Sequence, residues 1–425
     1  MCRIVVVPHP TSQETIIEDG GRGGLYTENG ADRHGVRGLQ SKTRAFIGWI
    51  TVGSMTNNTR FPYEKLPPHQ YWRNAIASVD REDRDAQSAA RFQIDRSTAI
   101  VSAGSCFAQR IAERLRADGF NYLVTEPGPA WMTADQRSRY DYGRYSARYG
   151  NVYSTLQMLQ LMQRATGEFV PAAREWARQD GGVVDPFRPT VQPRGFSSIA
   201  ELEADRRQHL GRTLEAFQTA DVVILTLGLT EVWCDARDGA CLPMCPGRGI
   251  GTYDDSIYRF RNLTVSENVD YLSAFVCRFR SINPAGRILL TVSPVPLIAT
   301  YERDHVLGAT SYSKSVLLVA AREVQRAYDN VDYFASYELL WSPCMPKSSF
   351  AEDGRTITDA GVEYVMRTFC RHYARETVAD AVGSRSPRHA ASDVVNIDQL
   401  FRTCDDEATL QALAVDALSE DSAAK

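Results

Sequence analysis

Apolar segments of strand length alternate with amphipathic segments of helical length along the middle of this chain. Of four apolar segments, the first three are rich in β-branched residues and apolar throughout, which predicts interior strands covered on both faces. Strands that alternate with helices are typical of a mostly parallel sheet. The pattern therefore predicts an α/β fold with helices on both faces of the sheet. Strands are expected at 98–104, 221–228, 287–294 and 331–337, and helices at 105–118, 152–165, 199–219, 266–282, 312–328 and 358–375.

The two ends of the chain lack this pattern. Residues 1–58 are Gly-rich, polar and aperiodic, which predicts a disordered extension, and Met55 opens a segment that looks like a natural start. Residues 376–425 predict a linker followed by one short amphipathic helix. We therefore expect one folded domain over 59–375.

Two segments between the predicted elements are too long to be simple connections in a compact domain. Residues 129–150 and 170–198 are rich in Tyr, Arg, Pro and Gly. Long segments of this kind often form binding or catalytic sites. We expect them to be loop insertions that shape a site.

Composition and charge exclude several classes of protein. The 425 residues are 43% hydrophobic and 24% charged, with a formal charge of −4, which gives no sign of a nucleic-acid surface. No apolar run approaches the ~20 residues of a membrane-spanning helix, and the N-terminus lacks the order of a secretory signal. A cytoplasmic location is expected, with a small molecule or a glycan as the partner. The sequence does not predict an oligomeric state.

The nine cysteines have no regular spacing, which indicates reduced thiols rather than a disulfide framework. Cys234, Cys241 and Cys245 cluster in one turn-rich segment, where three thiols could hold zinc. However, no paired C-x-x-C motif and no fourth ligand lie nearby in the sequence. No metal and no cofactor are predicted.

The segment GSCFA, residues 104–108, places a serine and a cysteine where the first predicted strand gives way to a helix. In an open α/β sheet, ligands bind beyond the carboxyl ends of the strands, and a helix N-terminus stabilises negative charge. Ser105 is therefore a candidate nucleophile, although it could equally be the N-cap of the helix. Cys106 is expected to point back toward the sheet, where a small thiol packs well. As a competing nucleophile, Cys106 would need a helix end or a nearby cation to favour its thiolate.

Further motifs make the chain resemble a known family. Together with GSCFA, they look like the bacterial GSCFA-domain family, which is similar to the SGNH hydrolase superfamily of esterases and acyltransferases. The resemblance covers most of residues 97–370, implies a flavodoxin-like fold, and gives Ser105 the place of the nucleophile. The motifs are ARYGNVYSTLQMLQLM (147–162), DPFRPTV (185–191), LTLGLTEVW (225–233), TVSPVPLIAT (291–300), YSKSVL (312–317) and DYFASYELL (332–340).

The resemblance is incomplete at the expected general base. SGNH hydrolases pair the serine with a D-x-x-H motif, and here Thr356 stands where the histidine would follow Asp353. A threonine cannot act as a general base near neutral pH. His305 is the best replacement, because it follows the third predicted strand and so lies at the same edge of the sheet as Ser105. A lone histidine in a polar loop could equally be exposed or structural.

The resemblance also implies donors for an oxyanion, in addition to the backbone N–H of Ser105. Asn151 offers an amide at a helix start, and Thr230 stands where SGNH enzymes carry an asparagine and keeps a donor hydroxyl. Glu231 then places a carboxylate near the site. The alternatives are helix capping for Asn151 and a salt bridge with Arg148 for Glu231.

Three residues are candidates for binding a substrate. Arg148 ends a Tyr- and Arg-rich segment that could stack on sugar rings and hydrogen-bond to them, or could form a packed lid. Lys314, at the start of a predicted helix, could anchor a carboxylate or a phosphate, although lysines at helix starts are usually solvated. Tyr153 follows Asn151 and completes the set.

These observations predict a serine esterase or acyltransferase. Its acyl-enzyme would form at Ser105 and pass the acyl group to water or to a carbohydrate hydroxyl. The link to a polysaccharide or glycoconjugate is implied by the family resemblance alone. The alternative, suggested by Thr356, is a catalytically inactive SGNH-like module that binds an acyl or glycan ligand.

Overall fold

A four-stranded parallel sheet forms the centre of the fold. The computed structural model describes residues 61–247 and 249–375, and from Lys65 onward these residues form one compact unit. In chain order, the strands and helices are β1 (Ile100–Ala103), α1 (Cys106–Ala117), α2 (Ala134–Arg139), α3 (Thr155–Ala165), β2 (Trp176–Ala177), β3 (Val183–Val184), α4 (Ile199–Thr219), β4 (Val222–Leu227), β5 (Glu231–Asp235), β6 (Cys241–Leu242), β7 (Tyr258–Asn262), α5 (Val265–Ile282), β8 (Arg287–Val292), α6 (Val306–Ala327), β9 (Val331–Phe334), α7 (Ser336–Trp341) and α8 (Asp359–Tyr373). Short 3-10 turns occur at Pro68–Gln70, Arg81–Asp83 and Lys347–Ser349, and a π-helical turn at Arg73–Ala77.

The central sheet has the strand order of a flavodoxin-like fold. Strands β1, β4, β8 and β9 lie side by side in that order, and all are parallel. Tyr122 adds a parallel bridge to Ile100 on the outer side of β1. If the Tyr122 segment is counted as the second strand in chain order, the strands lie side by side in the order 2-1-3-4-5, as in flavodoxin-like folds. The predicted α/β fold with a mostly parallel sheet is confirmed, and all four predicted strands are present.

Helices cover both faces of this sheet. Successive strand residues point to opposite faces, so that Val223 and Leu225 pack in one apolar cluster while Val222 and Ile224 pack in the other. The first cluster holds side chains of α3, α4, α5 and α6, and the second holds those of α1, α7 and α8. Burial on both sides explains why the strand sequences are apolar throughout.

Hydroxyl side chains cap several of the long helices. Ser154, Ser198, Thr264 and Thr358 each accept a hydrogen bond from the backbone N–H three residues further along, at the starts of α3, α4, α5 and α8. Each bond satisfies a backbone donor that has no partner within the helix and contributes ~1 kcal/mol. Ser105 precedes α1 in the same way, but its side chain makes no capping bond.

The structure differs from the sequence-based prediction in several elements. Helices α2 and α7 were not predicted. Two small antiparallel sheets were not predicted: one contains β6, β5 and β7, and the other pairs β2 with β3 inside the insertion 170–198. Strands of two to five residues are too short to give a clear periodic pattern. Helix α6 begins earlier than predicted, at Val306, and Lys314 therefore lies inside the helix rather than at its start.

The predicted extension 1–58 and the predicted linker and helix over 376–425 lie outside the described residues. Among the residues that the structure describes, no helix combines the length and the apolar character needed to cross a membrane.

Candidate active site

A cavity of about 460 Å³ lies at the carboxyl edge of the central sheet. Parallel strands end at the same edge, and the loops that follow three of them meet here. The segment after β1 contributes Ser105 and Cys106, the segment after β4 contributes Gly228 and Leu229, and the segment after β8 contributes Ser293 and Val295.

Ser105 faces this cavity from the turn between β1 and α1. The turn requires a glycine at position 104, because a Cβ atom there would lie 2.7 Å from the Cβ atoms of both Ala108 and Thr226. Ser105 is the N-cap residue of α1 and is only 4% exposed, yet its hydroxyl makes no capping hydrogen bond. Of the two roles that the sequence leaves open, the structure therefore gives no support to side-chain capping.

Cys106 also lines the cavity, which corrects the prediction that it packs toward the sheet. It is the first residue of α1 and is half-buried, and its sulfur is not part of a disulfide. The next two residues, Phe107 and Ala108, fill the apolar clusters on the two faces of the sheet instead. Phe107 and Ala108 thus pack the start of the helix against the sheet, and the Cys106 thiol, one residue earlier, lies at the cavity.

Lys314 enters the cavity from α6 and is 1% exposed. Its amine donates a hydrogen bond to the carbonyl oxygen of Gly228. Burial lowers the pKa of Lys314 to about 7, with Cys106 acting to raise it and Arg355 to lower it. In the part of the chain that the structure describes, no carboxylate forms an ion pair with this amine. Lys314 is therefore a buried amine that exchanges a proton near neutral pH.

The segment that replaces the D-x-x-H motif contributes a different residue. Asp353 accepts hydrogen bonds from the backbone N–H groups of Arg355 and Thr356, and it also accepts one from the Thr356 hydroxyl at 2.6 Å. Asp353 and Thr356 thus close a turn on each other. Arg355, between them, lines the cavity, and its Nε donates to the carbonyl oxygen of Pro296 at 3.3 Å.

Glu231 supplies the carboxylate of the cavity, as the sequence predicts. It accepts hydrogen bonds from the Thr300 hydroxyl at 2.6 Å and from the backbone N–H of Tyr301 at 3.0 Å. Burial raises the pKa of Glu231, although these two hydrogen bonds act against that rise. The alternative salt bridge between Glu231 and Arg148 is not formed.

Most of the remaining lining is apolar. Ligand sites of this kind combine an apolar wall with a few convergent polar groups. The indole of Trp233 contacts the rings of Phe260 and Tyr301 edge to face, and Tyr301 is 64% exposed. The wall includes Val232, Trp233, Leu242, Met244, Phe260 and Leu297.

His305 lies outside the lining of this cavity. It is the N-cap residue of α6, and its Nδ1 accepts a hydrogen bond from the backbone N–H of Leu307 at 3.1 Å. The side chain is otherwise exposed at the surface. The structure therefore brings Ser105 together with Lys314 rather than with His305.

Asn151 and Thr230 are buried beside the cavity but do not line it. The Asn151 side-chain oxygen accepts hydrogen bonds from the Tyr145 hydroxyl at 2.6 Å and from Gln109 at 3.1 Å. The Thr230 hydroxyl donates to Asn262 at 2.6 Å, and its backbone N–H donates to the Ser313 hydroxyl at 2.9 Å. Both residues are therefore hydrogen-bonded to neighbouring protein groups and stabilise the structure around the cavity.

Tyr153 lines the cavity, and its backbone joins the ends of two strands. Its carbonyl oxygen accepts hydrogen bonds from the N–H groups of Gly228 and Leu229, at 2.8 Å and 3.2 Å. The preceding residue, Val152, donates its N–H to the carbonyl oxygen of Gly104 at 2.9 Å. Val152 and Tyr153 thus connect the end of β1 to the end of β4 through backbone hydrogen bonds beside the cavity.

Arg148 lies apart from the cavity in a buried group of charges, which we call the Arg148 cluster. Its guanidinium donates to Asp205 at 2.8 Å and to the carbonyl oxygens of Tyr140 and Val191, both at 2.7 Å. The guanidinium is thus committed to protein acceptors and is not placed to bind a substrate in the cavity. The cluster contains Glu126, Arg148, Asp185, Arg188, Asp205, Arg206 and His209.

Two of the three clustered cysteines face each other across β5 and β6. Cys234 is directly opposite Cys241 in the ladder, and both are buried free thiols, whereas Cys245 lines the cavity. Among the described residues, no group of three or more His, Cys, Asp or Glu side chains is placed to hold a metal ion.

The GSCFA family model matches residues 99–369, which is more than half of the chain. This chain belongs to the GSCFA family. No curated protein sequence matches it.

Several solved structures of other proteins are similar to this GSCFA chain at low identity. A Streptococcus pneumoniae protein named after platelet activating factor is 16% identical, with 38% of this chain and 66% of that one covered and a TM-score of 0.24. A peptidoglycan O-acetylesterase is 14% identical over 38% of this chain and 39% of its own, with a TM-score of 0.23. A Geobacillus acetyl-xylooligosaccharide esterase is 14% identical over 67% and 100%, with a TM-score of 0.27. The chain thus spans less than two thirds of the length of the first two proteins.

The sequence alone does not place Cys106 and Arg355 among the polar groups of the GSCFA cavity. The sequence favours a packing role for Cys106, and the cation that a reactive thiol needs, Lys314, shares its cavity only in the folded chain. Arg355 lies between Asp353 and Thr356, in the segment where a catalytic histidine is expected. Neither residue carries a local sequence signal for its position in the cavity.

Proposed function

We propose that this chain is an acyl esterase or acyltransferase that works through a covalent acyl-enzyme in the cavity, with Lys314 as the general base. The observation that carries the proposal is the buried amine of Lys314 in the same cavity as Ser105, the nucleophile that the sequence predicts. A base is most effective when its pKa lies near the working pH, and the pKa of about 7 meets that condition. Pairs of serine and lysine are a known variant of nucleophile and base.

The hydrogen bond to Gly228 suits this role for Lys314. A neutral amine has two N–H donors and one lone pair, so it can donate to the Gly228 carbonyl and still accept a proton from the nucleophile. The protonated amine can then return that proton to the leaving alcohol. His305, which caps α6, is not needed as a base in this scheme.

The first turn of α1 is our candidate for stabilising the oxyanion. The first N–H groups of a helix have no partner within it, and they carry partial positive charge. The helix begins at Cys106, directly beside the predicted nucleophile. These backbone donors take the part that the sequence assigned to Asn151 and Thr230, while the apolar wall accommodates an acyl group.

In this proposal, the acyl acceptor is a hydroxyl of a polysaccharide or glycoconjugate in the cytoplasm. In the hydrolytic direction, an ester of such a hydroxyl is the acyl donor. The family resemblance suggests the glycan, and the exposed ring of Tyr301 against Trp233 offers it an aromatic surface. None of the seven cysteines among the described residues forms a disulfide, which agrees with a reducing compartment.

The experiment is turnover of p-nitrophenyl acetate by the full chain and by Lys314→Met. We expect burst release of nitrophenol from the wild type, with intact-mass analysis showing one acetyl group on the protein. Cys277→Ala, at an exposed thiol on α5, serves as the control and keeps full turnover. Binding of an acyl or glycan ligand without turnover or adduct would contradict the proposal and support the inactive module.

A further inference from the structure

We infer that the thiol of Cys106, rather than the hydroxyl of Ser105, carries the acyl group, so that the intermediate is a thioester. The inference rests on the proposed function and changes the identity of its nucleophile. Both side chains line the same cavity, one residue apart, at the start of α1. They differ in access, in charged surroundings and in the proton that must be removed.

Cys106 is the more accessible of the two. Ser105 is 4% exposed, whereas Cys106 is half-buried, with part of its surface open. A substrate carbonyl must approach a nucleophile to about 3–3.5 Å before reaction. The thiol therefore offers the better line of attack from the cavity.

The surroundings of Cys106 favour a thiolate. Helix N-termini and nearby cations both stabilise ionised cysteine. Cys106 is the first residue of a 12-residue helix, and two cationic side chains share its cavity, Lys314 from α6 and Arg355 from the segment before α8. The carboxylate of Glu231, from β5, is the one acidic side chain among the described residues that line the cavity, and the Thr300 hydroxyl and Tyr301 N–H bind it.

Proton transfer to Lys314 is far easier from a thiol than from a hydroxyl. An unperturbed cysteine has a pKa of about 8.5, which is close to the value of about 7 for Lys314. A hydroxyl resembles water, whose pKa is about 15.7. An amine of moderate basicity is thus well matched to a thiol and is a weak base toward an alcohol. The interaction between Lys314 and Cys106 already appears in the pKa of the lysine, which the ionised thiol raises.

The reaction then has two balanced steps. The Cys106 thiol gives its proton to the neutral amine of Lys314, its sulfur forms a bond to the ester carbonyl carbon, and the ester C–O bond breaks. The leaving alkoxide takes the proton from Lys314 and departs as an alcohol, which leaves a thioester. Water or an acceptor hydroxyl next gives a proton to Lys314 and attacks the thioester, the C–S bond breaks, and the thiolate recovers its proton.

The test is to locate the acetyl group after reaction with p-nitrophenyl acetate. Wild type, Ser105→Ala and Cys106→Ala are quenched in acid, digested and mapped by mass spectrometry, with and without neutral hydroxylamine, which cleaves thioesters. We expect acetylation of Cys106 in wild type and in Ser105→Ala, removed by hydroxylamine. The Ser105→Ala protein also excludes transfer of an acetyl group between the two neighbouring side chains. Cys106→Ala should lose turnover by at least 10²-fold, and Ser105→Ala by less than tenfold.

The outcomes separate this inference from the proposed function. An acetyl group on Ser105 that survives in Cys106→Ala would overturn the inference and leave the esterase proposal intact. An acetyl group on Cys245, the other thiol of the cavity, would overturn it as well. Absence of adduct and of turnover in the wild type would overturn both proposals.

A second measurement needs no variant and so does not depend on folding of the substituted chains. Iodoacetamide is added to the wild type, and alkylation of each cysteine is followed by mass spectrometry alongside turnover. We expect alkylation of Cys106 to parallel the loss of turnover, while alkylation of Cys277 does not. Full turnover after complete alkylation of Cys106 would refute the inference.

Discussion

Two regions of this molecule bury charged groups, and they treat them in opposite ways. In the Arg148 cluster, Asp185 is fully buried between Arg188, at 3.0 Å, and Arg206, at 3.2 Å. In the cavity, Lys314 is equally buried but has a backbone carbonyl as its partner, and among the described residues no carboxylate pairs with it. The Arg148 cluster thus neutralises its buried charges by pairing them, whereas the cavity contains an amine that can gain or lose a proton.

The difference shows how a buried ionisable group can be assigned to structure or to chemistry. Paired charges hold their ionisation state, since each partner stabilises the charged form of the other. His209 shows a different solution, because burial, together with Arg188, lowers its pKa to about 4, and the neutral ring bonds to Glu126 at 2.9 Å. Among the residues that the structure describes, Lys314 alone combines a near-neutral pKa with a cavity large enough for a ligand. We therefore expect rate effects from one region and stability effects from the other.

The largest expected effect is on turnover in Lys314→Met. Loss of general acid–base catalysis typically costs about 10²–10⁴-fold in rate, and we expect a loss in this range with p-nitrophenyl acetate. Steady-state kinetics at pH 8 measure it. A loss of less than tenfold would show that the amine does not act as the base.

The same variant should be more stable than the wild type below pH 7, which separates a kinetic defect from unfolding. The pKa of Lys314 is depressed from its ordinary value to about 7, so the folded state disfavours the ammonium. This cost is fully present below about pH 7 and falls as the pH rises from there toward the ordinary lysine pKa of 10.5. Urea unfolding at pH 6 and pH 9 measures the gain, which we expect to be larger at pH 6.

In the Arg148 cluster, Asp185→Asn should destabilise the fold by about 3–5 kcal/mol, because it removes a fully buried carboxylate that is paired with two arginines. The carboxylate of Asp185 is the common partner of Arg188 and Arg206. Urea unfolding monitored by circular dichroism measures the change. Asp180→Asn is the matched control, since the Asp180 side chain is exposed and its ion pair with Arg178 should contribute little to stability. Equal effects of the two substitutions would contradict the distinction between the regions.

A smaller effect is expected from pH. Because Lys314 must be neutral to accept a proton, kcat/KM should fall about tenfold per unit as the pH drops below about 7 and level off above it. Arg355 lowers the pKa of Lys314, so Arg355→Gln should move this midpoint to higher pH. Glu231, whose pKa is raised, and the thiols of Cys106 and Cys245 also face the cavity. A pH profile with an unchanged midpoint in Arg355→Gln would argue against Lys314 as the titrating group.

The smallest effect is expected from His305→Ala. This substitution removes the side chain that caps α6, which costs about 0.5–1 kcal/mol of stability. Turnover should change by less than twofold, because His305 does not line the cavity. A loss of 10²-fold or more would restore the histidine to the catalytic site.

The sequence allowed prediction of the elements that have a local pattern. The strands around Val223 and Leu289 are apolar throughout because both faces are covered, and this signal is independent of distant contacts. Ser105 and Glu231 could be placed at the cavity because each lies at or just beyond the end of a strand. The cap that His305 makes could not be foreseen, because it depends on where α6 begins.

The rest of the site depends on contacts between distant parts of the chain. Lys314 was a candidate for binding an anion at a helix start, and its role as a base became visible only with its burial inside α6. Arg355 reaches the cavity because Asp353 and Thr356 close a turn around it. The backbone groups that bind the Lys314 and Arg355 side chains lie far away in the sequence, and no periodic pattern encodes such contacts.

The dipeptide Val152–Tyr153 has a consequence for how this site tolerates change. It joins the ends of β1 and β4 through main-chain atoms only, with no contribution from the side chains at positions 105 and 106. The main-chain hydrogen bonds that join these strand ends therefore do not depend on the reactive side chains. Replacing one nucleophile by another changes which covalent bond forms, and the backbone around the cavity keeps its shape.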